Sequence, residues 1–508
     1  MKNTQPTHRK AQAGVMLLEA LIAILIFSLG ILSLVALQGT SIQLTSDAKY
    51  RTDASMLANK LIGQMWVSGG TATDLAANFA SPDGKDYKTW RDHDVKATNS
   101  LPGIVAEGEH VKSTLPTVTV NAPGRRTRGH RRDRGNHHFL AHPANEGRRR
   151  WAPPRRHHTD RLPEPVMKAR SLFPNYVKGF TLVEVMVAMV IGMIGIIIMM
   201  QVFATAEGQK RATTGTGDAQ SSGAMALYEL QRDVRQGGYG INSMSLLSCG
   251  LALDAPFPKV NLPTLGPAII NPAWLPAGDA NTDTLLITFG NSGGSPEGDA
   301  IIGGSDVVPK VQTPKNFIKD DWVVGAPAAD GNAACTLKLT LAQVTDVTGS
   351  EVTVNRASVA AAELLFNFGP TPTIRAYAIR LGNLTVCDYL LNDCSIAGNA
   401  GNQAIWVAIA SNIVSLRAQY GHGANTWDQI APTTACGWAR TAALRIAVVA
   451  RNTQVEQGEI TAAAPTWEGS ATAPLELKDT RANWKNYRYK VFETVVPIRN
   501  LPWMAKCP

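Results

Sequence analysis

Two apolar runs stand out from the hydrophobic pattern, "VMLLEALIAILIFSLGILSLVAL" from Val15 to Leu37 and "FTLVEVMVAMVIGMIGIIIMMQVF" from Phe180 to Phe203. Each is about 20 residues or slightly more, the length a helix needs to cross a bilayer. Beyond each run the pattern changes to helical spacing. Tyr50, Ala54, Leu57, Leu61 and Met65 recur on one stripe with polar Arg51, Asp53, Asn59 and Lys60 between them. That spacing predicts an amphipathic stalk continuing to about Trp66. Residues 67–120 then read as loop with a little strand in "VKSTLPTVTV". After the second run, Ala224, Leu227, Leu230 and Val234 carry a helix to a stop at Gly237 and Gly238. From there the chain alternates strand-like runs with Gly, Pro, Asn and Asp: "TLLITFG", "TLKLTLAQVTDV", "SEVTVN", "IRAYAIRLG", "AIWVAIA", "ALRIAVVAR" and "YRYKVFETVVPIRN".

The two runs share a layout. Arg9 and Lys10 precede Gly14, and Lys168, Arg170 and Lys178 precede Gly179; in both cases the fifth residue after the glycine is a glutamate, Glu19 or Glu184. A secretory signal has a shorter apolar core followed by its cleavage site. Here the cleavage candidate comes first, so cutting leaves the helix on the mature chain. A carboxylate inside an apolar helix is costly and marks a function or a partner. Cleavage after Gly14 or Gly179 frees an α-amino group four residues from that carboxylate, and pairing the two leaves no net buried charge.

Both openings resemble the class III signal of type IV pilins and pseudopilins. The resemblance implies cleavage by a prepilin peptidase between Gly14 and Val15 and between Gly179 and Phe180, methylation of the new N-terminus, and an assembly role for Glu19 and Glu184. Phe180 is the closer match; Val15 departs from the usual Phe or Met. "DAKYRTDASMLANKLIGQMWV" is similar to the minor pilin family PilV, and "LYELQRDVRQGGYGI", "NIVSLRAQYG" and "VFETVVPIRNLPW" are similar to the minor pilin family PilW. The implied fold is α+β and pilin-like: a long N-terminal hydrophobic helix followed by a β-rich globular head, with a second, truncated pilin-like helix at the chain start. The implied organisation is a leader at 1–14, a PilV-like transmembrane and stalk helix at 15–66, a truncated head at 67–123, a junction at 124–166, a second leader at 167–179, a PilW-like helix at 180–236 and a β-rich periplasmic head at 237–508. The implied function is that of a structural minor pilin, not an enzyme, working in the bacterial inner membrane and then in the fibre. Its partners would be other pilins, the prepilin peptidase and the assembly platform. A type II secretion pseudopilin is the alternative within the same architecture.

Charge separates the junction from the rest. Between Arg125 and Arg161 twelve Arg face three acidic residues, a net +9 equal to that of the whole chain, and six of the ten His occur there. The stretch has no Ile, Val, Met or Lys and cannot bury a core. Its composition is what GC-rich DNA yields in an unintended frame, which predicts a frame slip near Pro123 joining two genes. The functional alternative is a tether that binds nucleic acid through its phosphates. Topology also argues for two products. The positive-inside rule places the N-terminal end of each apolar run in the cytoplasm, and two consecutive spans of one chain cannot both satisfy it when the segment between them is exported.

All six cysteines, Cys249, Cys335, Cys387, Cys394, Cys436 and Cys507, lie in the C-terminal half without zinc-ligand spacing, which suits disulfides in an oxidising compartment. Their pairing is left open, although Cys387 and Cys394 are near enough to staple a turn. No phosphate loop, zinc-protease or nucleophile-elbow motif appears, and no cofactor or metal is expected. His422 stands alone in "YGHGANTW". "DANTD", Asp279 to Asp283, has three alternating calcium-loop positions but lacks the Gly and Glu that complete one, so it reads as a polar turn.

Overall fold

The computed structural model describes residues 22, 25, 26, 28, 29, 33, 50, 51, 53–96, 115–120 and 182–508, except 292, 359–360, 423–425, 457, 478–482, 502–506 and 508. The chain forms two compact units, Met1–Arg51 with Leu140–Gln209, and Thr52–Phe139 with Lys210–Pro508.

In the second unit the first element is helix α1, residues 53–68, close to the predicted end of the stalk. The sequence beyond it departs from expectation. Where loop and strand were predicted, α2 (Ala72–Phe79) and α3 (Lys85–Trp90) form, and α3 runs into a π-helical turn at Arg91–Lys96. The signal was present in "TATD": Thr71 and Asp74 make a reciprocal capping box that satisfies two otherwise orphaned N–H groups. Residues 116–120 are not a strand. They pack instead as irregular chain, Tyr87 donating its hydroxyl to Pro116 O at 2.7 Å and Val118 joining Leu61, Phe79, Tyr87, Trp90 and Val95 in a small core.

Helix α4, Leu182–Gln236, is one unbroken element that begins in the first unit and ends in the second. Its end lies where Gly237 and Gly238 placed it. Gly238 takes the left-handed conformation, φ 87°, that glycine reaches without steric cost, and its N–H turns out of the helix to Thr288 O at 2.9 Å. Ala219, Ala226, Leu227, Leu230 and Val234 are buried along one stripe of α4 in the main core, while Met225 and Tyr228 face outward.

The strands begin with β1 (Gly250–Leu253), β2 (Val260–Leu262), β3 (Ala268–Ile270) and β4 (Leu285–Phe289). Next come β5 (Asp299–Ser305), β6 (Val308–Val311), β7 (Trp322–Ala326), β8 (Lys338–Thr340), β9 (Ala342–Thr348), β10 (Glu351–Val354) and β11 (Leu364–Gly369). The last are β12 (Thr373–Arg380), β13 (Asn383–Asp388), β14 (Val407–Ser411), β15 (Ile413–His422), β16 (Thr426–Asp428), β17 (Thr441–Arg451) and β18 (Tyr489–Pro497). Each predicted strand-like run contributes a strand.

Two antiparallel sheets carry the main core, one ordered β14-β13-β12-β4-β3 and the other β16-β15-β17-β18. Between β4 and β12, which pair directly through Thr373 and Phe289, the chain leaves to build a closed barrel ordered β10-β6-β5-β11-β7-β9. The barrel has its own small core of Val311, Phe317, Val323, Val344, Val352 and Leu365. Closure removes the edges that such short strands would otherwise expose. Strand β8 joins β1 and β2 in a three-stranded sheet. The observed class is α+β, a long apolar helix followed by a β-rich head.

Candidate functional site

The part of α4 in the first unit is apolar in sequence from Leu182 to Phe203 apart from Glu184 and Gln201. From Leu182 to Phe203 the described side chains are exposed, Leu182 itself at 77%. Its most apolar window has a mean hydropathy of 2.6 and no buried residue. A helix this long spans roughly 30 Å at 1.5 Å per residue, the thickness of a bilayer's hydrocarbon core. Water is a poor solvent for such a surface, because each exposed Ile, Met or Val forgoes about 1.5–3 kcal/mol of burial. Lipid or neighbouring helices must cover it. Glu184 lies within α4. Gly14, Val15, Glu19, Gly179 and Phe180 lie outside the described residues, as does the Arg-rich stretch.

The other end of α4 is fixed to the head by polar contacts that its sequence motif supplies. Asp233, 1% exposed, accepts hydrogen bonds from the Tyr377 hydroxyl at 2.5 Å, Arg375 Nη1 at 3.1 Å and Arg232 Nε at 3.1 Å. Burial, reinforced by the Asp233 charge, holds the Tyr377 hydroxyl far above its ordinary pKa, so it stays a donor. Asn500 completes the end. Its side-chain N–H groups reach Arg235 O and Gln236 O at 3.1 Å and Gly237 O at 3.4 Å, carbonyls that a terminating helix leaves without internal partners. "LQRDVRQGG" and "PIRN" thus meet in space, although more than 250 residues separate Asn500 from the helix end it caps.

Three disulfides pair all the cysteines: Cys249 with Cys335, Cys387 with Cys394, and Cys436 with Cys507. The last ties the chain's tail to the short helix α5 (Ala435–Ala439). Asp279 and Asp283 are engaged by protein donors. Asp279 accepts from Leu381 N and Gly382 N, and Asp283 from Asn271 Nδ2, Arg417 Nη1, Ala418 N and Gln429 Nε2. His422 ends β15, its Nε2 at 3.4 Å from Asp428 Oδ1.

Two polar residues of the stalk have surroundings that their sequence does not announce. Asp53 and Lys60, taken as polar positions between the apolar stripe residues of the stalk, are both buried, because a second face of α1 packs on β18. Lys60 Nζ lies 2.5 Å from Glu493 Oε1, 2.7 Å from Asp94 Oδ1 and 3.1 Å from Glu468 Oε2. Burial alone would lower the Lys60 pKa, but Glu493, Glu468 and Asp94 outweigh it and hold the ammonium above its ordinary value.

A membrane-length apolar helix, locked at its far end to a disulfide-bonded β-rich head, is the organisation of a pilin. Comparison with known families agrees: residues 386–500 match the family model described as Type IV Pilus-assembly protein W, and residues 174–200 match the Prokaryotic N-terminal methylation motif. The two matches mark a type IV pilus minor pilin, a structural component that is membrane-anchored and works among other pilus components. No match was found among curated proteins. Among solved structures, a type IV-like pilin from Thermus thermophilus aligns at 10% identity over 56% of this chain and 97% of its own, with a TM-score of 0.24, too loose a likeness to bear on the argument.

Proposed function

We propose that the chain from Met167 onward is a prepilin. Prepilin peptidase cuts between Gly179 and Phe180, Phe180 becomes the methylated first residue, and Glu184 pairs with the new amine of its own or a neighbouring subunit during assembly. The head faces the periplasm, and the subunit passes from the inner membrane into the fibre, delivered by the assembly platform. It carries no catalytic activity. The observation that carries this reading is the succession of methylation motif, exposed apolar helix and PilW match in one stretch of chain. Lys168, Arg170 and Lys178 ahead of the helix favour a cytoplasmic N-terminal side, and disulfides in the head suit an exported compartment. The match to a pilus-assembly protein favours the pilus over a secretion pseudopilin.

Residues 1–123 are, on this reading, a second and truncated pilin of the PilV kind, opened by Gly14, Val15 and Glu19 and joined by the out-of-frame stretch 124–166. The test is the mass and N-terminal sequence of the mature protein in cells. A methylated product beginning at Phe180 is expected; a product retaining residues before Gly179 in assembled pili overturns the proposal. Glu184→Ala is expected to leave membrane insertion intact and reduce piliation, and normal piliation in that strain removes the assembly role.

A further inference from the structure

We propose that the head carries a docking groove for the stalk helix of a second pilin subunit, recognised by an aspartate, a lysine seven residues on and a glycine three residues after that, and that α1 occupies this groove here. Strand β18 is an edge strand of its sheet. Helix α1 packs on β18 and, through Ala443, on the neighbouring β17. Gly63 sits where an added Cβ would lie 2.6 Å from Val495 Cβ, so only glycine lets helix and strand approach so closely. One turn on, Val67 is buried with Ala443 and Val495.

Polar contacts fix the direction of the helix. The head presents Glu493 and Glu468 to Lys60, whose side chain is 4% exposed, and it presents Lys490 to Asp53, Nζ to Oδ1 at 2.8 Å. The two sites lie two helical turns apart, about 10 Å along α1, and have opposite polarity. A reversed helix or one slipped by that distance would set like charges together, so the pair specifies register as well as attraction. At the far end Arg499 stacks over Trp66 at 4.8 Å.

The occupant belongs to another chain because of the membrane. Docking puts residues 53–96 and the head in one compartment, whereas two successive spans of one chain put them on opposite sides. In this respect the inference rests on the reading of two prepilin openings given above. The two failures are distinguishable, because loss of docking leaves the mature N-terminus at Phe180 unchanged.

The experiment uses the full chain, purified in detergent, with a protease site inserted between Arg125 and Arg161 and an affinity tag at the C-terminus. After cutting, the N-terminal piece of the unaltered chain is expected to stay with the tagged piece through gel filtration. Lys60→Glu and Gly63→Leu, which leave both apolar runs untouched, are expected to weaken retention by at least about tenfold. Lys60→Glu combined with Glu493→Lys is expected to restore it to within a few fold. Protection of the head disulfides from alkylation under reductant reports that each variant is folded. Separation of the unaltered pieces, or retention unaffected by both single substitutions, overturns the proposal. If a single variant loses head protection, the swap decides: rescue supports the groove and failure to rescue overturns it.

Discussion

Asp233→Ala tests whether the end of α4 is held to the head by charge or by packing alone. The carboxylate is buried and gathers three donors, Tyr377 Oη, Arg375 Nη1 and Arg232 Nε. Its removal leaves the buried Tyr377 hydroxyl without its acceptor, which costs about 1–3 kcal/mol. Arg375 and Arg232 have side chains 35% and 43% exposed, so water takes over part of their loss and each adds no more than about 1 kcal/mol. The total is about 2–4 kcal/mol. Asp233→Asn keeps an acceptor for the hydroxyl and should cost about half as much. The assay is urea unfolding of the detergent-solubilised chain, followed by fluorescence of the buried head tryptophans Trp406 and Trp438. It is paired with proteolysis across residues 210–236. The Asp233→Ala variant is expected to be cut in this stretch at urea concentrations where the unaltered chain resists. A double-mutant cycle with Tyr377→Phe should give a coupling of about 1–2 kcal/mol. A loss below about 1 kcal/mol, or additive effects of the two substitutions, would refute the account and leave apolar packing as the sole anchor.

Asn500→Ala should lower stability by about 1 kcal/mol in the same titration, since it removes a cap from three carbonyls without touching the core. Reduction of Cys249–Cys335 should follow unfolding rather than precede it, because Cys249 is buried, and loss of the bond should cost about 2–5 kcal/mol. Thiol alkylation with and without urea reads this directly. Asp94→Asn should change the pH profile around Lys60. Burial raises the Asp94 pKa despite Lys60, so its contribution is fully present below the ordinary 3.8 and is lost as pH rises through the raised value. Burial also pushes Glu468 up, but Lys60 and Arg445 outweigh it, so its contribution is present above the ordinary 4.5 and is lost as pH falls through the lowered value. The stability of the unaltered chain relative to Asp94→Asn should therefore rise between pH 7 and pH 4; a constant difference would rule out the raised Asp94.

How much of this was legible in the sequence depended on how far apart the partners lie. The long helix could be read because its information is local: apolar residues without interruption, then Ala224, Leu227, Leu230 and Val234 on one stripe, then two glycines. The β-rich head was legible for the same reason. The barrel was not, because closure is set by pairs such as Glu351 with Lys310, and no periodicity within either strand announces them. The helices after α1 were missed although Thr71 and Asp74 signalled the first of them, since a run with few apolar residues gave the 3.6-residue period little to act on. Asp233 is the sharper case. It stands between Arg232 and Val234 in a motif that resembles PilW, yet nothing local distinguishes it from a solvated aspartate; its partners Arg375 and Tyr377 lie more than 140 residues away.

Lys60 carries this one step further. A lysine flanking an apolar stripe is read as solvated because lysine is almost never fully buried unless paired. Its partners Glu468 and Glu493 belong to a segment that, on the proposed reading, is a different polypeptide. Asp94 meets Lys60 from within the N-terminal segment, but no pattern within one pilin could have exposed the two glutamates that complete its burial. The same holds for Gly63, whose reason is Val495. Both residues are therefore expected to tolerate substitution in an N-terminal pilin tested apart from the head, and to resist it only when the two are together. Greater loss of solubility or helicity from Lys60→Glu in the isolated segment than in the joined chain would show that the lysine serves its own helix instead.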